Sequence, residues 1–152
     1  MPDAPTNVLF LFSDQQHRYS LGCTSEGEVI TPNLDRLADD GVLFTGCYSN
    51  NPVCTPFRAT MLTGQYSSRC GVMQNNRPLP AGTPTFADAL NDAGYTTAYV
   101  GKWHLGGTGN GPIAPELRGG FERFCGYQCY NGSYRNVCFY DEQGTEHRFD
   151  RH

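Results

Sequence analysis

The sequence predicts an α/β fold, a mostly parallel sheet flanked by helices, on three observations. An apolar run near the N-terminus ends abruptly in polar residues, two later segments share a Thr-Pro opening with helical apolar spacing, and a β-branched, aromatic run leads into a glycine-rich stretch. In chain order, "NVLFLFSDQQ" holds the continuous apolar run Val8–Phe12, the pattern of a parallel strand buried on both faces. "TPNLDRLADDG" reads as a helix, with Thr31 as cap, Pro32 in the first turn, Leu34, Leu37 and Ala38 on one face, and Gly41 as stop. "VLFTGCYS" from Val42 reads as a second strand. "TPTFADALNDAG" repeats the helix grammar: Thr83 caps, Pro84 follows, Phe86, Ala89, Leu90 and Ala93 take helical spacing, and Gly94 ends it. "YTTAYVGK" is a strand that runs straight into "WHLGG". From Gly106, "GGTGNGPIAPELRGG" reads as loop, and the aromatic segment after it contains a hairpin turn at Asp141–Gly144.

A length of 152 residues suits one domain, with 38% hydrophobic and 17% charged residues, as in globular rather than disordered chains. The net charge of −4, without a long run of like charge, argues against a nucleic-acid partner. An anionic substrate would therefore need a local cationic cluster. Val8–Phe12 is the longest apolar run, too short to cross a bilayer or to form a signal-peptide core, and no Lys or Arg precedes it. As written the chain begins in the cytoplasm and has no membrane partner; a trimmed N-terminus would make it periplasmic or secreted. Without an export signal the seven cysteines are expected as reduced thiols. Cys125, Cys129 and Cys138 lack finger spacing and a fourth ligand, which disfavours zinc.

Three segments place reactive groups at strand ends or helix starts, the edge where open α/β sheets bind ligands. In Ser13-Asp14-Gln15 a carboxylate lies beside an amide oxygen, which suits a hard cation such as Ca²⁺ or Mg²⁺; a turn cap at Asp14 is the competing reading. In "NNPVCTPFRATMLTGQYSSRCG", Pro56 favours a helix start, so that Cys54 lies just outside the helix and Arg58 one turn in. A helix N-terminus and a guanidinium both stabilise a thiolate or any other anion beside them, against the alternative of a buried apolar cysteine. In "GYTTAYVGKWHLGG", Lys102 and His104 follow a strand directly, and extended geometry would point both to one side with Trp103 turned into packing. An ordinary surface Lys and a structural His are the alternative there.

Taken together, "CTPFR", "GYTTAYVGKWHLG", "NVLFLFSDQ" and "TPNLDRLADDGVLFTGCYS" closely resemble, in order and spacing, the N-terminal part of the type I sulfatases of the alkaline-phosphatase-like superfamily. The resemblance runs from about Asn7 to Gly106 and continues more weakly through Gly120-Phe121 and "GYQCYNG". It implies part of an alkaline-phosphatase-like sandwich, and residues 1–152 as the N-terminal part of a single catalytic domain. It implies hydrolysis of a sulfate monoester, of a sulfated small molecule or carbohydrate, and a formylglycine-generating maturation enzyme as a partner that oxidises Cys54 to an aldehyde. One hydroxyl of the hydrated aldehyde would attack sulfur and expel the alcohol, and the second would drive loss of sulfate. Arg58 would hold the hydrated formylglycine, Lys102 would bridge it to the sulfate oxygens, and His104 would help the elimination. Asp14, Gln15 and the modified Cys54 would bind a divalent metal, Ca²⁺ first with Mg²⁺ or Mn²⁺ as alternatives.

Two positions depart from the commonest family pattern. Gln15 stands where many members carry a second aspartate, and Phe57 where Ser is frequent. The Asp-Gln form keeps open a phosphonate monoester or phosphodiester hydrolase of the same superfamily, and a non-catalytic truncated member is the other alternative. The metal and sulfate ligands that the family supplies from later in its chain have no counterpart here. Asp141, His147, Asp150 and His152 have suitable chemistry, but their surroundings read as a solvated turn and tail.

Overall fold

The structure, a computed structural model, describes residues 6–129 and 136–150. It divides into two compact units, Met1–Cys47 and Tyr48–His152. In the first unit, helix α1 (Pro32–Asp40) forms where the sequence predicts it, with proline at its start. Thr31 does not cap it as expected. Its hydroxyl accepts from the Gly22 amide and donates to Asp35 Oδ1, both at 2.7 Å, while that oxygen also accepts from the Cys23 amide at 2.8 Å. The backbone of the 3₁₀ turn Gly22–Thr24 thus takes the hydroxyl that local capping would have used, and is strapped to the first turn of α1.

Neither of the two strands expected in the N-terminal third is formed: residues 8–12 and 42–49 carry no strand ladder. Val8, Leu9, Phe10 and Leu11 are 57–87% exposed, and Val42, Leu43 and Phe44 are exposed as well. The physical reason is pairing. A strand buried on both faces needs ladder neighbours and covering layers, and among the described residues the first unit supplies no second strand. Leu34 and Leu37 on α1 are exposed for want of the same cover.

The second unit opens with α2 (Cys54–Thr63) and α3 (Ser67–Cys70), followed by α4 (Phe86–Asp92). Gly64 ends α2 in the left-handed region at φ 66°, its amide on the Thr60 carbonyl, a conformation that a β-carbon would strain. In α4 the cap is Thr85 rather than the expected Thr83. Thr85 and Asp88 form a reciprocal capping box, and the Thr83 hydroxyl instead donates to the Pro80 carbonyl at 2.7 Å.

Four strands follow, β1 (Ala98–Lys102), β2 (Arg123–Tyr127), β3 (Val137–Tyr140) and β4 (Glu146–Phe149), in the order β1-β2-β3-β4. The α/β class is observed, and the sheet is mixed. β1 and β2 pair in parallel from Ala98↔Arg123 to Lys102↔Tyr127, while β2–β3 and β3–β4 are antiparallel. The last pair is antiparallel because the predicted hairpin is there, closed by Gly144 N–H on the Asp141 carbonyl at 3.0 Å. The core lies in this unit. Ala59 and Leu62 of α2 meet Tyr99, Trp103, Leu105 and Phe124, with the Tyr99 and Trp103 rings edge to face at 4.9 Å. One consequence of the topology matters for the site: β1 and β2 end, β3 begins and β4 ends at the same edge of the sheet.

Candidate active site

Helix α2 begins at Cys54 itself, one residue earlier than the spacing suggests, and Val53 at the cap position offers no side-chain bond. The free amide of Thr55 is met from a distance: Asn75 Oδ1 accepts from it at 3.0 Å. One turn on, Arg58 is only 3% exposed. A guanidinium so deeply placed needs its donors met. Its Nη1 donates to the Tyr99 hydroxyl at 3.0 Å and to the Lys102 carbonyl, and the Tyr99 hydroxyl donates to that same carbonyl. Arg58 is thereby tied to the last residue of β1, and Tyr99 stands between them as a positioning residue.

Lys102 ends β1, half-buried, and Trp103 turns into the core as expected. His104 is buried, but not by simple alternation with Lys102. Its φ is 58°, so the chain has left extended geometry where the same-side expectation would apply. Asn76, itself at φ 63°, places its Oδ1 3.3 Å from His104 Nε2. With that oxygen as acceptor, Nε2 carries the ring proton and Nδ1 is the basic nitrogen. Beyond His104 the loop is clipped to the sheet by Gln128, which accepts from the Gly106 amide at 3.0 Å and donates to the Gly107 carbonyl.

The two neighbouring asparagines therefore join the start of α2 to His104, and Tyr99 joins Arg58 to Lys102. Within one unit, hydrogen bonds thus tie the Thr55 amide beside Cys54 to the asparagine pair that meets His104, and Arg58 to the backbone carbonyl of Lys102. A helix N-terminus and a guanidinium are groups that favour an anion beside them, and an imidazole can carry a proton. Asn75, Asn76, Tyr99 and Gln128 were not singled out from the sequence. The adjacent asparagines after "CGVMQ" were the one local hint, as such residues favour turns and left-handed backbone.

Asp14 and Gln15 belong to the first unit, and both are exposed, Gln15 with φ 54°. Their oxygens are of the right chemistry for a hard divalent cation. They are also too few, since such ions take about six to eight oxygen ligands, and no cluster of three His, Cys, Asp or Glu is arranged for a metal among the described residues. They fit as part of a ligand set. Of the four non-glycine residues with positive φ among those described, Gln15 and His104 are predicted site residues and Asn76 touches His104. Unusual backbone of this kind concentrates at functional sites.

Asp141 and His147 do form a pair, 2.8 Å apart across the β3–β4 turn. The hydrogen bond from His147 first, then the Thr145 and Gln143 amides, hold the Asp141 carboxyl below its ordinary pKa despite some desolvation. Both are exposed or nearly so and pin the hairpin, in line with the reading as a solvated turn. His152 and the residues 130–132 of the weaker resemblance lie outside the described residues.

The sulfatase family model matches residues 6–148. The Ulvan-active sulfatase of Formosa agariphila is 37% identical over 150 residues, covering 97% of this chain and 29% of that protein. N-acetylgalactosamine-6-sulfatase of Canis lupus familiaris is 38% identical over 146 residues (87% and 27%), and steryl-sulfatase of Mus musculus 38% over 141 residues (84% and 23%). Among solved structures, the yidJ sulfatase of Bacteroides fragilis superposes with a TM-score of 0.82 at 27% identity, over 91% of this chain and 35% of that one. The chain thus spans about a quarter to a third of the length of these proteins.

Proposed function

The chain belongs to the sulfatase family, and from that premise we propose that it forms the nucleophile-bearing part of a sulfuric ester hydrolase, with Cys54 as the residue that becomes the nucleophile. One observation carries this reading: the buried Arg58, one turn into the helix that starts at Cys54, is bonded through Tyr99 to the strand end that bears Lys102. A thiol in a structural role has no need of such a cationic frame. A dianionic sulfate ester has, because its charge must be met locally on a chain of net charge −4.

Oxidised to formylglycine and hydrated, residue 54 offers one hydroxyl to attack sulfur and a second whose proton loss expels sulfate and restores the aldehyde. Arg58 and the first-turn amides of α2 hold the negative charge at residue 54. Lys102 neutralises the sulfate oxygens as the S–O bond to the alcohol breaks. His104, held by Asn76 at one ring nitrogen, takes up and returns the proton of the second hydroxyl. Asp14 and Gln15 would hold part of the coordination of a divalent cation, which would polarise the sulfate and acidify the attacking hydroxyl. Ca²⁺ suits their oxygens best, and Mg²⁺ or Mn²⁺ remains chemically suitable. Names among the relatives, N-acetylgalactosamine-6-sulfatase foremost, support a sulfated carbohydrate as substrate.

The test is peptide mass spectrometry of the tryptic segment Leu37–Arg58 after co-expression with a formylglycine-generating enzyme. We expect conversion of Cys54 to the aldehyde, absent in Cys54→Ala. A thiol retained beside a converted control peptide would sink the reading and point to Phe57. Turnover of an aryl sulfate against an aryl phosphonate by the full-length protein then separates the sulfatase from the phosphonate hydrolase alternative.

A further inference from the structure

The sheet edge that carries Lys102 holds a second feature that the proposed chemistry does not use. A cavity of about 260 Å³ opens there, lined by Asn110, Tyr127, Asn136, Cys138, Tyr140 and Arg148. Tyr127 pairs with Lys102 in the parallel register, so the near wall begins one strand spacing, about 4.8 Å, from the strand end of the candidate site. Arg148, paired with Cys138, closes the far side from β4. The volume falls just under the roughly 300–1,000 Å³ of pockets that enclose whole small molecules. It suits one ring of a larger ligand, with the remainder outside.

The lining decides what kind of ring. It holds two phenols, two carboxamides, a thiol and a guanidinium, and no aliphatic side chain. Such walls offer hydrogen bonds to hydroxyls and aromatic surface to the apolar face of a sugar, and they offer a sterol little. The polar tips are also held in place. Glu146 accepts from the Tyr140 hydroxyl at 3.1 Å and from Arg148 Nε. Asn110 Oδ1 accepts from the Cys129 amide at 3.2 Å, and Asn136 is the fourth non-glycine residue at positive φ, 58°. Tyr140 stays a neutral hydroxyl, its pKa pushed up to about 12 by its bond with Cys138 first, then by burial and Glu146. Because Arg148 meets Glu146 through Nε, its terminal nitrogens enter no other hydrogen bond among the described residues.

We infer that this cavity is a subsite for the saccharide ring next to the one that carries the scissile sulfate, and that Arg148 recognises an oxyanion, carboxylate or second sulfate, on that neighbouring ring. The assignment rests on the sulfatase reading for the identity of the first ring. Its substance, an acidic-sugar site at the β1–β4 edge, can be measured without turnover.

The experiment is calorimetric titration of the full-length Cys54→Ala protein with three sulfated disaccharides, alike except that the second ring bears a neutral hydroxymethyl, a carboxylate or a sulfate. We expect at least one of the acidic forms to bind about tenfold more tightly than the neutral one, the worth of a charge-assisted contact on a partly exposed arginine. Arg148→Gln should bring the preference to within about twofold, and Arg148→Lys, which keeps the charge and loses the fork, should leave an intermediate value. Arg123→Gln, an exposed arginine at the other end of β2, should keep the full preference. Equal binding of the three disaccharides overturns the subsite. So does a preference that survives Arg148→Gln, or one that Arg123→Gln lowers as much, since that would be bulk charge alone. Failure of the sulfatase reading would show separately, as an unconverted Cys54 or an inert aryl sulfate.

Discussion

Both units of this chain carry apolar runs and helical apolar spacing, and they use them in opposite ways. In Tyr48–His152, helix α2 and strands β1 and β2 bring Trp103, Leu62 and Leu105 out of water altogether, and the aromatic rings of Tyr99, Trp103 and Phe124 pack on one another. In Met1–Cys47 no described residue is buried, and the runs from Val8 and Val42 lie open. What holds the first unit locally is polar: Thr31 and Asp35 bonded to the amides of Gly22 and Cys23. The contrast teaches that periodicity specifies which face an element would bury, while burial itself waits for a second surface. Apolar area yields about 25 cal/mol per Å² only when it leaves water, and side-chain hydrogen bonds can set a turn against a helix without any of that gain.

The sharpest way to break this contrast is a pair of truncations. Trp103→Ala should cost about 3–5 kcal/mol in urea unfolding, enough to abolish folding in a marginal chain, because a fully buried indole leaves a cavity. Leu37→Ala, at a site 67% exposed, should stay within about 0.5 kcal/mol. Comparable losses at the two sites would mean that α1 is covered after all.

A smaller effect should come from Tyr99→Phe, which keeps the rings of the core and removes only the hydroxyl between Arg58 and the Lys102 carbonyl. Stability should fall by about 1 kcal/mol. On the sulfatase reading, kcat/KM of the full-length enzyme should fall at least about tenfold, mostly in kcat, since a hydrogen bond made by a charged guanidinium is worth about 1.5–3 kcal/mol. Conversion of Cys54 should be untouched. An unchanged kcat would show that the core places Arg58 without help from Tyr99.

The smallest effect lies in the exposed hairpin. Asp141 is depressed below its ordinary value of 3.8, with His147 as the main cause. A carboxyl lowered in the folded state stabilises it above the unfolded value and loses that contribution as pH falls through the folded one. The Asp141 carboxyl carbon, followed by NMR, should titrate below 3.8 and move back up toward it in His147→Ala. No movement would assign the depression to the Thr145 and Gln143 amides instead.

Much of the candidate site was legible in the residues because its chemistry is local. "CTPFR" places a cysteine and an arginine one turn apart on a helix start, and "GKWHLG" puts a lysine and a histidine at the end of a strand. The family resemblance, the sulfatase fold, helix α1 and the Asp141–Gly144 hairpin followed from the same short-range signals. The expected cap at Thr83 failed for a reason also visible locally, the Thr85–Asp88 box two residues on.

What the sequence by itself determined, then, is which residues carry charge and nucleophilicity and which short elements present them, since these depend on neighbours within a turn or two. Only the tertiary structure decided how they are held. Asn75 meets the amide of Thr55 across 20 positions, Asn76 reaches His104 across 28, and Arg58 meets the Lys102 carbonyl across 44. It also decided that Val8–Phe12 and the run from Val42 form no strand within this chain. The physical reason is the same in both cases: a hydrogen-bond partner or a covering surface far along the chain leaves no mark on the local pattern, and without it a side chain's chemistry does not specify its place.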